Sequence, residues 1–354
     1  MNLDPSETQV LLRETVASYL EAQVPLDRIR ALEKSGGWDE ALWKGLCDQG
    51  WLGLALPESL SGGGAGLVDL GSLVEAIARR AAIVPILEVA VAGRALAGHA
   101  QAAEWVGDLL SGSSRPVPAC PAPGAAPVRV AGGRVRGEVA FVDYGQFATH
   151  HLVAAAEAGA TALWRVDAAD PAVRCEPLRS IGRTPVCAVR YDGARAEPVG
   201  DAAGAARLAL EARALAAVQC VGSMAEALDL TVAYAKVREQ FGKPIGSFQA
   251  VRHHCANMAM RVASARSLAF EALSALDAGR DASERVAAAK ASASLAAPEV
   301  TMLAHQIHGG NGVIEENDLY FHTLRGKERS LAWGSAEECL DELAAAVDRP
   351  TEWL

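Results

Sequence analysis

The hydrophobic period of this 354-residue chain changes twice along its length, and nothing else constrains its architecture as much. Over roughly residues 6–110 apolar side chains recur at helical spacing, as in Val10-Leu11-Leu12, Val16 and Tyr19-Leu20, then Leu42, Leu46 and Leu67 to Leu87. The stretches Ser111-Gly-Ser-Ser-Arg-Pro-Val-Pro118 and Pro121-Ala-Pro-Gly124 then end any helix. Between 116 and 200 the period falls to two, in Val128-Arg-Val130, Arg134-Val135-Arg136, Val139-Ala-Phe141-Val142, Leu152-Val153, Ala162 to Val166 and Val186 to Tyr191. Such runs, bounded by glycine, proline and aspartate, read as antiparallel strands. Helical spacing returns in Ala203–Lys236, Ser247–Ala278, Ala282–His308 and Ser335–Val347, all rich in alanine, which lets helices approach closely within a bundle and between subunits. The pattern predicts an α+β multidomain chain: an N-terminal α-helical domain over 1–115, a middle antiparallel β-domain over 116–201, and a C-terminal four-helix bundle over 202–354.

Composition narrows the function. With 33 basic residues against 43 acidic, the net charge of −10 argues against a nucleic-acid binder or a partner of anionic membranes, so local basic residues serve a local anion. Acidic residues in Met1-Asn-Leu-Asp-Pro-Ser-Glu7 stand where a secretory signal has a basic and then an apolar region, and no uninterrupted apolar run has the length of a membrane span. The seven cysteines, 47, 120, 175, 187, 220, 255 and 339, are scattered, odd in number and lack Cys-x-x-Cys spacing. A reduced, cytoplasmic protein without a metal site is expected, its thiols acting as small core residues.

Two tracts carry chemistry. Tyr234-Ala-Lys-Val-Arg238-Glu-Gln-Phe241-Gly242-Lys-Pro-Ile-Gly-Ser-Phe248-Gln249 sets a permanent cation, aromatic rings and an amide on one helix–turn–helix segment. Those groups suit an anionic, aromatic ligand: a guanidinium fork for pyrophosphate, a ring for stacking, an amide that donates and accepts. A charged interhelical turn is the plainer alternative. The second tract is His305-Gln306-Ile-His308-Gly309-Gly310-Asn311-Gly312, an amide followed by closely spaced glycines, where backbone comes within reach of a ligand. His305 and His308 lie one helical turn apart, but no nearby Asp, Glu or Cys set completes a metal shell.

Together the tracts resemble the acyl-CoA dehydrogenase family, whose C-terminal domain carries a similar Arg-x-x-Phe-Gly, Phe-Gln and Gln-x-x-Gly-Gly-x-Gly series in that order. Leu42-Trp43 to Pro57-Glu58, Ser61 to Gly66 and Leu73-Val-Glu75-Ala-Ile-Ala-Arg79 are similar to its opening helical domain, and the domain order is the same. The resemblance implies an oxidoreductase of lipid metabolism that desaturates an acyl-CoA with FAD, passing electrons to an acceptor such as an electron-transfer flavoprotein. It assigns Arg238, Phe241, Phe248, Gln249, Gln306, Gly309 and Gly310 to the cofactor.

The chain also departs from that family. The usual base lies in a Tyr-Glu-Gly-Thr segment, which here falls on Ala332-Trp333-Gly334-Ser335, and Trp333 cannot take a proton. In members that carry the base on the preceding helix, its place falls on Ala212, beside Glu211, and one helical residue is a rotation of about 100°. Glu211 is therefore a candidate base only if the register differs, and otherwise an exposed carboxylate at a helix start. The Thr-Glu-Pro-x-x-Gly-Ser segment that holds the flavin ring is replaced by Ala119-Cys-Pro-Ala-Pro-Gly-Ala-Ala126, without a hydroxyl, and the second ring segment resembles Phe141-Val142-Asp143-Tyr144-Gly145.

In this family the adenosine-diphosphate half of each flavin is held by the neighbouring subunit's C-terminal domain. The chain keeps what a subunit gives to a neighbour and lacks much of what it uses itself. It most resembles the smaller subunit of heteromeric (α2β2) bacterial acyl-CoA dehydrogenases of steroid degradation, as in Asp318-Leu-Tyr-Phe-His322-Thr-Leu-Arg325, Leu331 to Ser335 and Arg80 to Pro85. A partner subunit is the leading expectation; a self-sufficient dehydrogenase using Glu211 and a flavin-free scaffold or acyl-CoA-binding protein are the alternatives.

Overall fold

The computed structural model describes residues 6–347; the opening residues 1–5, on which part of the signal-sequence reading rests, lie outside them. Six helices come first: α1 (Glu7–Gln23), α2 (Leu26–Ser35), α3 (Glu40–Asp48), α4 (Leu67–Arg79), α5 (Ile86–Leu96) and α6 (Ala102–Leu110). Local signals start them. Ser6 and Gln9 form a reciprocal capping box on α1, and Asp39 Oδ1 accepts from Leu42 N at 2.7 Å on α3. Buried around nearly its whole circumference, α5 needs no polar face.

Eight strands follow: β1 (Pro116–Ala119), β2 (Arg129–Ala131), β3 (Arg134–Asp143), β4 (His150–Glu157), β5 (Ala160–Asp167), β6 (Val173–Leu178), β7 (Val186–Arg195) and β8 (Glu197–Gly200). They form one sheet in the order β6-β7-β3-β2-β4-β5-β8, with β1 beside β4. The sheet is mixed, which corrects the expectation of a purely antiparallel domain: β1 and β2 both run parallel to β4. Pro116 and Pro118 punctuate β1 in sequence, yet all four of its residues are buried, as parallel pairing favours. Two short predicted runs, 134–136 and 139–142, are one strand, β3, with a register shift between Val139 and Val142. That irregularity puts Phe141 at φ 56° and leaves it 75% exposed.

The C-terminal part holds α7 (Ala202–Val237), a short hairpin of β9 (Glu239–Gln240) and β10 (Lys243–Pro244), then α8 (Gln249–Asp277), α9 (Ser283–His308), α10 (Leu319–Leu331) and α11 (Ala336–Val347). The four expected helices are present, and α10 is a fifth. Hydrophobic spacing hid it because its buried face includes His322, Arg325, Gly326, Arg329 and Ser330. Lys290 explains how such a face is tolerated. Its buried ammonium donates to Ser294 Oγ at 2.8 Å and to the carbonyls of Arg329 and Ser330 at 3.0 Å, capping the end of α10.

The chain forms two compact units. One gathers residues up to Ile29, Gly71–Ala82 and everything from Arg213; the other gathers Arg30–Leu70 and Ile83–Ala212. Among the described residues α7 alone is long and apolar enough to cross a membrane, and 67% of its apolar window is buried inside the protein, as for a core helix.

Candidate functional site

The first tract begins where α7 ends. Arg238 N still bonds Tyr234 O at 2.8 Å, and Ile245 N returns to Arg238 O at 2.8 Å, closing the β9–β10 hairpin. Its two central residues, Phe241 and Gly242, have φ 55° and 77°, the left-handed pair that a two-residue hairpin turn of type I′ requires. Glycine takes this readily; Phe241 does so against its side chain's preference and is 91% exposed. Its ring meets Phe248 edge-on at 6.0 Å, while Lys243 Nζ lies 4.5 Å from the Phe248 centroid. Gln249, also exposed, opens α8.

The second tract begins where α9 ends. Gly309 (φ 59°, ψ −141°) stops the helix in a conformation closed to residues with a Cβ. A Cβ added at Gly309 or Gly310 would meet nothing within 4 Å, so the backbone is open on that side. Gln306 is exposed one turn earlier.

The fold joins these tracts, which are about 70 residues apart in sequence, through one stack. The rings of Tyr234 and His308 lie 4.3 Å apart at 11°, and Asn317 Nδ2 approaches His308 Nδ1 at 3.3 Å. Burial holds both His305 and His308 below the usual imidazole range, which favours their neutral rings. Ser247 Oγ, His305 Nδ1 and His308 Nε2 are buried with no hydrogen-bond partner among the described residues. An exposed guanidinium, an exposed ring, two amides and an open glycine backbone can together hold a phosphate-bearing aromatic ligand. Neither this stack nor the Lys243–Phe248 contact was part of the sequence reading; Tyr234 at the head of the first tract and His308 just before the glycines of the second were the signal.

The base positions look different. Trp333 has φ 60°, its carbonyl accepts from Arg213 Nε at 2.8 Å, and Arg213 Nη1 is paired with Glu342 at 2.6 Å. The segment is pinned by its backbone and offers no titratable group. Glu211 is not the exposed helix-start carboxylate of the alternative reading. It sits well inside α7, 3% exposed, with Arg94 Nε on Oε2 at 2.8 Å, Arg94 Nη2 on Oε1 at 3.2 Å and Arg207 Nε on Oε1 at 2.5 Å. Arg94 is itself fixed by Ala55 O at 2.8 Å. Both carboxylate oxygens are engaged, and nearby Ala212 is fully buried. In the segments matching the ring half of a flavin site, Tyr144 is buried while Phe141 stands out from its bulge as the exposed aromatic. Among the described residues no three His, Cys, Asp or Glu side chains gather as a metal site would need.

Comparisons with known proteins give the family. Residues 6–113 match the family described as "Acyl-CoA dehydrogenase, N-terminal domain" and residues 204–344 match "Acyl-CoA dehydrogenase, C-terminal domain". Acyl-CoA dehydrogenase IpdE2 of Mycobacterium tuberculosis is 32% identical over 348 residues, covering 98% of this chain and 99% of that protein. A chain in the crystal structure of the ChsE4–ChsE5 complex from Mycobacterium tuberculosis superposes with a TM-score of 0.94 at 29% identity, covering 99% of this chain and 100% of that one. A variant of the Tcur3481–Tcur3483 steroid ACAD gives a TM-score of 0.91 at 30% identity over 96% of this chain and 98% of its own. On full-length identity, matching domains and shared fold, the chain belongs to the acyl-CoA dehydrogenase family.

Proposed function

We propose that this chain is the smaller subunit of a heteromeric, FAD-dependent acyl-CoA dehydrogenase, giving the adenosine-diphosphate half of a flavin site to a homologous catalytic subunit. One observation carries this reading. The stack of Tyr234 on His308 ties the tract that carries Arg238, Phe241, Phe248 and Gln249 to the one that carries Gln306, Gly309 and Gly310, while neither expected base position, Trp333 nor the doubly paired Glu211, offers a free carboxylate.

The residues fit that half of the cofactor. Arg238 supplies a fixed charge for pyrophosphate and Phe241 a ring for the purine. Gln306 and the open backbone at Gly309–Gly310 supply polar contacts, and Ser247 Oγ and His308 Nε2 are buried polar atoms that a ligand can partner. The ring half fits less well, since Ala119–Ala126 has no hydroxyl, although Phe141 presents an aromatic face. When bound, FAD supplies the hydride acceptor of the desaturation. This chain's part is to bind and orient; proton abstraction falls to the partner's carboxylate. Glu211 closes a buried ion-pair cluster that fixes α7 to α5, which disfavours the self-sufficient reading.

Subunit contact is supported on α8 and α9, where exposed Met260 and Leu295 line a groove with Asn257, Ser264 and Ser292, and Met302 is exposed further along α9. The assembly is α2β2 and cytoplasmic, and an electron-transfer flavoprotein takes the electrons. The ChsE4–ChsE5 and steroid ACAD likenesses favour a steroid side-chain CoA thioester as substrate. The test is flavin absorbance and native mass of the chain alone and after co-expression with a homologous, base-bearing dehydrogenase. Flavin is expected only in the mixed complex, at about one per heterodimer. Stoichiometric flavin and acyl-CoA oxidation by the lone chain would overturn the proposal.

A further inference from the structure

We propose that the outer face of β6, β7, β3 and β2 docks an acidic protein surface of mixed charge, in a transient contact that salt displaces. This goes beyond the flavin reading and uses none of its residues. The strand register sets the pattern. Arg174 stands opposite Arg190 across β6 and β7, Arg129 opposite Arg136 across β2 and β3, and Arg134 opposite Arg195 across β3 and β7. All six residues are exposed. Like charges directly opposite each other weaken a sheet. Three such pairs side by side, in a chain of net charge −10, are a cost that the fold itself does not require.

Two of the six are held locally. Arg134 Nη1 donates to Gly193 O at 2.7 Å, and Arg136 Nη1 pairs with Asp192 Oδ1 at 2.9 Å. Among the described residues none makes a hydrogen bond or ion pair with the guanidiniums of Arg129, Arg174, Arg190 or Arg195. Charged side chains also blunt a sheet edge, and Arg174 on the edge strand β6 serves that end. β2, β3 and β7 are interior strands, where no edge needs protection. Arg129, Arg136 and Arg190 therefore need another reason.

The signs on the face select the partner. Guanidinium forks match carboxylates in a planar, paired geometry. The same rows also hold acid: Glu138 stands opposite Arg190 and Asp192 opposite Arg136, with Asp170 and Glu176 at the border. A phosphate backbone or an anionic lipid surface is negative throughout, meets those carboxylates, and is repelled by the net charge of the chain. A folded protein can set carboxylates against the arginines and a Lys or Arg against Glu138 and Asp192, which fixes register and excludes wrong partners. Four strands about 4.8 Å apart make a face roughly 15 Å across, which suits a transient contact rather than a permanent subunit interface.

The experiment uses the intact chain at low salt and, as probe, a peptide of Glu-Glu-Lys repeats, with Lys-Lys-Glu repeats as control. Phenylglyoxal modification, read arginine by arginine by peptide mass, should slow at Arg129, Arg174, Arg190 and Arg195 with the first peptide only. It should stay unchanged at Arg280, exposed just after α8. The protection should vanish at about 0.5 M salt, where screening reaches within a few ångströms. Arg129→Thr and Arg174→Thr each remove a like-charge neighbour and no opposite-charge one in register. The double variant should therefore lose about tenfold in peptide affinity while its melting temperature holds or rises. No protection, equal protection by both peptides, or stronger protection by duplex DNA or phosphatidylserine vesicles overturns the proposal. So does a double variant that melts lower, because the arginines would then belong to the sheet's own packing.

Discussion

The two units of this chain hold their charged and polar groups in opposite ways. In the unit that contains the C-terminal helices, Arg238, Gln249 and Gln306 are exposed at helix ends and no described residue engages their side chains. In the unit that contains the sheet, Glu211 lies at the centre of a cluster in which Arg94 and Arg207 occupy both of its oxygens. An exposed guanidinium keeps its hydration while it waits for a ligand, whereas a buried carboxylate must be paired inside the chain. The first unit leaves these groups open to solvent; the second has turned its one carboxylate near the expected base position into structure.

Acid offers the largest way to separate the two units. His322 is fully buried and its protonation is pushed down to about 3, by burial first and then by Arg325 and Arg79. Its folded value lies below the unfolded one, so the contribution is full above about pH 6.5 and is lost as pH falls toward 3, on the order of 4 kcal/mol. His305 and His308, in the same unit, act in the same direction, against His150 alone in the sheet unit. Hydrogen exchange from pH 7 to 4 should therefore open α9 and α10 before β3, β4 and β7. Earlier exchange in the sheet, or an undiminished acid transition in His322→Leu, would remove this account.

Glu211→Gln comes next. Losing the charge opposite two guanidiniums should cost about 2 kcal/mol, a figure reduced because Arg207 is partly solvated, while turnover of the mixed assembly stays unchanged. Urea denaturation and acyl-CoA oxidation measured on one sample decide it. Loss of turnover with stability intact would make Glu211 the base and erase the contrast between the units.

For Arg238→Ala the stability should hold, and the mixed complex should bind flavin at least about tenfold more weakly, since a charge-assisted contact is removed. Equal flavin content in mutant and parent complexes argues for the flavin-free scaffold. The smallest effect is expected at Phe241→Ala: less than about 0.5 kcal/mol on folding because the ring is exposed, with a flavin affinity a few-fold lower. A large drop in melting temperature would instead make Phe241 a packing residue of the hairpin.

Much of this was legible before any coordinates. The period changes near 116 and 203 located the sheet, the broken Ser111–Gly124 stretch marked its entry, and the Arg238–Gln249 and Gln306–Gly312 tracts marked the candidate site at the ends of α7 and α9. Each depends on neighbours close in sequence, where helical or extended spacing and turn chemistry act directly. β1 and α10 escaped because their identity depends on what covers them. Prolines are tolerated in β1 since β4 pairs alongside it, and a polar helix face is tolerated in α10 since Lys290 donates to its final carbonyls.

Glu211 marks the boundary between the two kinds of knowledge. The sequence by itself determined that a carboxylate stands beside Ala212 on a long helix, that Trp333 takes the other base position, and which residues could meet a flavin. Only the tertiary structure decided that Arg94, 117 residues away, turns that carboxylate into an anchor, and that Tyr234 and His308 draw the two tracts together. Spacing along a chain fixes which face a side chain occupies; whether that face meets water, a cation or another ring is set by contacts between segments far apart in sequence, which no local period encodes.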